Sequence, residues 1–217
     1  MASDEDAEVM VGPVLPAPKR RRVLPFEEQY LKQLPLADLY EKSYMHRDWV
    51  THIAISEANG FVITASVDGV VKFWKKASIG IEFAKQFKSH LAPIVGLCVS
   101  QDGSLCASIS IDKTAKVFDV ATFDMIAILK LGYVPRCACW AFKNKSSKHL
   151  LVVAEREASS IHIYDIMNQS GAPCGTVAFH SAPVVSMAFN EPEGAIVSTD
   201  EKGRLYLAHV RLLCLLE

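Results

Sequence analysis

Two stretches of this chain, 44 residues apart, carry the same residue types at the same spacing. His46, Ser66, Asp68 and Trp74 in the first answer to His90, Ser110, Asp112 and Phe118 in the second. In both, the Asp follows the His by 22 residues and the aromatic follows it by 28. A displacement that keeps unlike residues in order marks a repeated supersecondary unit. A period of roughly 40–45 residues is that of a four-stranded propeller blade.

The residues between these markers support that reading. From residue 46 onward, short segments rich in β-branched and aromatic residues ("THIAIS", "FVITAS", "VVKFW", "GIEFAKQF") are separated by turn-forming "EANG", "DG" and "SIG". This is the pattern of short antiparallel strands joined by tight turns. The next unit follows the same plan through "PIVGLCVS", "SLCASIS" and "AKVFDV". In a third, Tyr164 of "IYDI" lies 46 after Phe118, but its opening "LGYVPR" has no matching His, and "KNKSSKH" reads as a loop insertion. A fourth reopens at His180, where "HSAP" parallels "HLAP". The expected fold is therefore all-β: a partial WD40 β-propeller of about four blades, an incomplete ring whose end blades expose apolar faces. Counting from His180 puts Lys202 where an Asp belongs and Ala208 where an aromatic belongs, although Asp200 stands near.

A His with a Ser and an Asp suggests a hydrolase triad. Their duplication at blade period suits architecture instead. A His at the blade entrance can bond an Asp in the turn between the second and third strands. A Ser two residues before that Asp and an indole N–H on the third strand can complete the network. On this reading blade one holds the full set, and blade two loses a link because Phe118 has no N–H donor. No G-x-S-x-G elbow, Walker loop, H-E-x-x-H or paired-carboxylate pattern is present, so no catalytic, cofactor-binding or metal-binding residue is expected. The net charge of −1 gives no basic nucleic-acid footprint, which makes direct nucleic-acid binding a weak expectation. The six cysteines sit mostly in apolar runs and read as reduced core thiols. No stretch has the length and apolarity of a signal peptide or membrane span, so the chain reads as soluble and intracellular, without a membrane partner.

The amino-terminal part differs. Residues 1–24 combine an acidic start, prolines and the basic run Lys19, Arg20, Arg21 and Arg22, and read as a disordered tail. The basic run on such a segment has the form of a nuclear localisation signal read by importin. Residues 25–43 read as a short amphipathic helix and linker, with Phe26, Tyr30, Leu31 and Leu34 on one face, docking on the main domain. Blades are expected over 44–210, followed by an atypical apolar end at 211–217.

Several segments are not generic to such repeats: "SYMHRD" (43–48), "VKFWKK" (71–76), "GIEF" (80–83), "KVFDV" (116–120), "FDMI" (123–126) and "LKLGY" (129–133). By these the chain resembles the amino-terminal WD-repeat region of the nuclear WD-repeat cyclophilins, the peptidylprolyl isomerase domain and WD repeat-containing proteins, with variants like those of plants. The resemblance implies a seven-bladed-type propeller followed by a cyclophilin domain, in nuclear proteins linked to spliceosomes, chromatin and histones. It covers residues 23–206, and none of the cyclophilin core follows. The expectation is a truncated chain that acts as a protein-interaction platform and not as an enzyme. The alternative is a peptidylprolyl cis-trans isomerase in protein folding, if the missing domain is counted.

Overall fold

The computed structural model describes residues 25–33, 46–142, 149–167 and 171–209. The basic run at 19–22, the linker from residue 34, the insertion at 143–148 and the apolar end at 211–217 lie outside them. The chain divides into two compact units, Met1–Ser43 and Tyr44–Glu217. Of the first, one helix is described, α1 (Glu27–Gln33). Phe26 and Leu31 of this unit are exposed.

The second unit is built of four antiparallel sheets in chain order. Blade 1 holds β1 (Val50–Ser56), β2 (Phe61–Ser66), β3 (Val70–Lys76) and β4 (Ile81–Lys88). Blade 2 holds β5 (Ile94–Val99), β6 (Leu105–Ser110), β7 (Thr114–Asp119) and β8 (Met125–Lys130). Blade 3 holds β9 (Pro135–Phe142), β10 (His149–Glu155), β11 (Ile161–Asp165) and the three-residue β12 (Gly175–Val177). Blade 4 has three strands among the described residues, β13 (Val184–Asn190), β14 (Ala195–Asp200) and β15 (Leu205–His209). Each sheet is a simple meander, as turns of a few residues between period-two segments require.

The core lies between blades. One buried cluster joins blade 1 (Ile63, Val71, Phe73) to blade 2 (Ile94, Phe118, Val120). A second joins blade 2 (Ile109, Val117) to blade 3 (Trp140, Leu151, Val153), and a third joins blade 3 (Leu150, Val152, Ile163) to blade 4 (Val184, Ile196). Strand alternation explains this, because successive residues of β10 face opposite sides of the sheet and so enter different clusters. No cluster joins blade 4 to blade 1 among the described residues. The end blades accordingly leave apolar side chains in solvent: Ile53, Ile55 and Phe83 on blade 1, and Leu205 and Leu207 on blade 4. The arrangement is an open arc of a propeller.

Blades also meet at their turns. Gly69, in the β2–β3 turn, has φ +76° and its carbonyl accepts the amides of Ser89 and His90. A Cβ on Gly69 would lie 2.2 Å from the His90 carbonyl oxygen. Gly80 has the same φ, but a Cβ there meets nothing within 4 Å. Gly80→Ala should therefore lower stability by about 1 kcal/mol, from left-handed backbone strain alone. Gly69→Ala should cost at least about 2 kcal/mol, because the entrance to blade 2 must also move. Urea unfolding of the two variants side by side checks this; equal losses would show that the turn contact is not what holds the blades together.

Candidate functional site

Four blade entrances can be compared through their strand registers. The second strand of each blade closes on Ser66, Ser110, Glu155 or Asp200, paired with Val50, Ile94, Pro135 or Val184. Two residues earlier, on the same face, stand Thr64, Ser108, Val153 and Ser198. Three of these carry a hydroxyl, and each hydroxyl meets the imidazole that opens its blade.

In blade 1, Trp74 Nε1 donates to Thr64 Oγ1 at 2.8 Å, and His46 Nε2 lies 2.7 Å from the same oxygen. An indole can only donate, so Thr64 Oγ1 accepts from Trp74 and keeps a second lone pair and its proton for the bond with His46. Burial and the nearby Lys72 hold the His46 pKa below its ordinary value, in keeping with a neutral ring. The expected full network of blade 1 needs correction. No hydrogen bond joins His46 to Asp68 among the described residues, and Asp68 instead caps its own turn through the Val70 amide. The Ser66 hydroxyl is buried without a partner. Ser66 lies one pleat step from Thr64 towards the turn, about 7 Å along the strand, and the imidazole reaches the deeper residue.

Blade 2 holds the His–Asp bond. His90 Nδ1 lies 3.0 Å from Asp112 Oδ2, and its Nε2 lies 2.8 Å from Ser108 Oγ. The carboxylate can only accept, which places the proton on Nδ1 and leaves Nε2 to accept from Ser108. Asp112 also takes the Thr114 hydroxyl at 2.6 Å and the Leu91 amide at 3.2 Å. Ser110 sits beside this network, donating towards the Ala92 and Pro93 carbonyls and accepting the Asp112 amide. Burial drives the His90 pKa down, with Lys116 helping and Asp112 opposing. Burial alone would raise Asp112, but its hydrogen bonds from Thr114 and the charge of His90 outweigh that and hold it below the usual carboxylate range. Phe118, at the place of Trp74, leaves no gap: it is fully buried against Phe73 and Phe87 of blade 1.

Blade 4 reaches the same end by another route. His180 Nε2 lies 2.7 Å from Ser198 Oγ and its Nδ1 lies 3.4 Å from Asp200 Oδ2. Lys202 does stand at the counted turn position and Ala208 at the register place of Trp74. The Asp has moved onto the strand, to the place of Ser66 and Ser110. From there Asp200 also accepts the Lys202 and Arg204 amides. Tyr206, opposite Ser198, presents its ring to His180 edge-on at 4.5 Å. In blade 3 the hydroxyl is replaced by Val153 in the apolar cluster, and Tyr133 hydrogen-bonds Tyr164 at 3.1 Å instead.

The sequence pattern named the opening histidines and Asp112 but missed Thr64, Ser108 and Ser198. A common offset of 18 residues from His46, His90 and His180 carries them. These groups face each other inside their own blades, and their chemistry is that of buried locks. The described residues contain no group of His, Cys, Asp or Glu arranged to hold a metal ion. The five described cysteines are free, and burial pushes the Cys137 thiol up to about 11.

The comparisons with known proteins agree with this architecture. A profile of the WD domain, G-beta repeat, matches residues 40–75 and 81–119. The peptidyl-prolyl cis-trans isomerase CYP71 of Arabidopsis thaliana is 48% identical over 92% of the chain. The human peptidylprolyl isomerase domain and WD repeat-containing protein 1 is 42% identical over 93% of it. The chain carries WD40 repeats at the matched residues, and most of its length is similar to these two relatives. It spans 32% of the length of each of these two relatives. The crystal structure of the computationally designed Ika4 protein superimposes with a TM-score of 0.61 at 18% identity, covering 78% of this chain and 96% of that one, a likeness of fold. WD40 repeats mediate protein–protein interaction, and that is the role of this chain at its coarsest. The expectation that the protein is not an enzyme is corrected: relatives matching 92% and 94% of the chain are named peptidyl-prolyl cis-trans isomerases. Since the chain spans only about a third of their length, the lack of a catalytic motif in these repeats does not make the protein a non-enzyme.

Two outcomes follow from the locks. Thr64→Val, which removes the partner of both His46 and Trp74, should lower stability by about 1–3 kcal/mol, whereas Ser66→Ala should change it by less than about 0.5 kcal/mol. Denaturant midpoints decide between them, and a larger loss at Ser66 would restore the spacing-based network. Acid should weaken the fold through His90. Its folded pKa is lowered from 6.5, so its contribution is present above pH 6.5 and is lost as the pH falls from there through the folded value. The stability of His90→Gln should fall less steeply below pH 6.5 than that of the parent.

Proposed function

We propose that this chain is the docking part of a nuclear peptidyl-prolyl cis-trans isomerase, holding protein partners while isomerisation acts on proline bonds. The observation that carries the reading is the 48% identity, over 92% of the chain, to a protein named for that activity. The repeats support the docking half of it. A rigid arc whose turns are fixed by buried locks offers loops that can differ from blade to blade without disturbing the core. The nuclear half rests on the basic run Lys19, Arg20, Arg21 and Arg22. Its partners on this reading are importin for entry, and nuclear proteins of spliceosomes or chromatin, histones included.

Native protein purified from its own cells should accelerate cis–trans isomerisation of a short prolyl peptide. Absence of any acceleration would remove the isomerase half. Replacing all four basic residues 19–22 by alanine should abolish nuclear accumulation of a fluorescent fusion too large to diffuse through pores. Unchanged accumulation would remove the importin contact.

A further inference from the structure

We propose that the rim formed by the entrances of blades 1 and 2 binds an acidic peptide segment with a bulky apolar residue. The proposal rests on the docking role described above and names the partner chemistry of one face. Three apolar side chains stand in solvent along this rim: Trp49, 82% exposed, Leu91, 100% exposed, and Ile111, 37% exposed. Their backbones are held in place. The Trp49 amide donates to Asp48 Oδ1 at 2.8 Å and its carbonyl accepts the Val67 amide. Gly69 ties blade 1 to His90, beside Leu91, and the Ile111 amide donates to the Pro93 carbonyl. An indole in solvent on a fixed backbone presents a large contact area with little ordering entropy left to lose.

Charge selects the partner. A cleft of about 650 Å³ opens between the two entrances, lined by Arg47, Asp48, Asp68, Lys88 and Leu91 among others, with buried Val70 and His90 also in its wall. The rim's carboxylates are each hydrogen-bonded: Asp48 to the Trp49 amide and Asp68 to the Val70 amide in their own turns, and Asp112 to Thr114 locally and to His90 and Leu91 at the blade entrance. The exposed cations Arg47, Lys88 and Lys113 make no ion pair among the described residues. Cations without partners beside apolar side chains favour an anionic segment that brings its own apolar anchor. A cationic segment would meet Arg47, Lys88 and Lys113 as like charge.

The test is fluorescence anisotropy of the whole chain with three labelled dodecapeptides, (Glu-Glu-Leu)4, (Gln-Gln-Leu)4 and (Lys-Lys-Leu)4. The glutamate peptide should bind about tenfold more tightly than the other two and weaken as salt is raised. Arg47→Glu with Lys88→Glu should weaken it about tenfold or more, and Trp49→Ser should do so without changing the salt dependence. Lys75→Glu with Lys76→Glu, the same charge change at the far end of β3, should leave binding intact. Arg47→Gln with Lys88→Gln serves if the reversed variant does not fold, as judged by its melting curve. Equal binding of the three peptides, or glutamate-peptide binding indifferent to both cation variants, overturns the acidic rim while leaving the docking role standing. No binding of any peptide overturns the rim as well; the docking role then falls only if partner proteins of the native isomerase also fail to bind the repeats.

Discussion

In three of the four blades, the entrance depends on a hydrogen bond between a hydroxyl in the middle of the second strand and the imidazole that opens the blade. A propeller has no core of its own at its centre. Its blades must be held at a fixed angle by what lies between them, and apolar packing alone is not directional. Thr64, Ser108 and Ser198 give that packing a registry mark. In blade 2 the lock faces blade 1, whose Gly69 carbonyl accepts the His90 amide. One residue therefore closes its own blade through its ring and joins the neighbouring blade through its backbone.

The electrostatics of the locks follow from their burial. A neutral imidazole between a hydroxyl and a carboxylate satisfies all three groups without placing a bare positive charge inside. His90 meets both partners, while His46 meets only the hydroxyl and leaves its other ring nitrogen unpartnered. Blade 3 shows the other solution, in which polar groups are removed in favour of Val153 and Leu131, and only a phenol pair remains near the third strand. Blades 2 and 3 follow one rule at this position, a buried polar group paired or absent, while blade 1 departs from it at His46 Nδ1 and the Ser66 hydroxyl.

Much of this was legible in the chain. Period-two segments and turn residues gave the strands, and the 44-residue displacement gave the blades, because both depend on local chemistry repeated along the sequence. The partners within each lock were less legible. Ser66 and Asp68 repeat as faithfully as His46 does, yet the imidazole selects among neighbours by reach and strand face, which spacing does not record. Blade 4 shows the limit most clearly. Its Asp200 performs on the strand what Asp112 performs in the turn, so a fixed offset finds Lys202 and misses the functional group. The protein's relation to isomerases could not be read from these strands by physics at all, since it concerns relatives of which this chain spans a third.

The alternation along β10 has a consequence for how such a chain can change. Leu151 and Val153 belong to the seam with blade 2, while Leu150, Val152 and Ala154 belong to the seam with blade 4. The strand is a party wall, and adjacent letters of its sequence answer to different tenants. A substitution can be compensated by the blade on its own side without disturbing the other. Each seam is therefore free to drift on its own, which is how blades as unlike as the second and the third can share one arc.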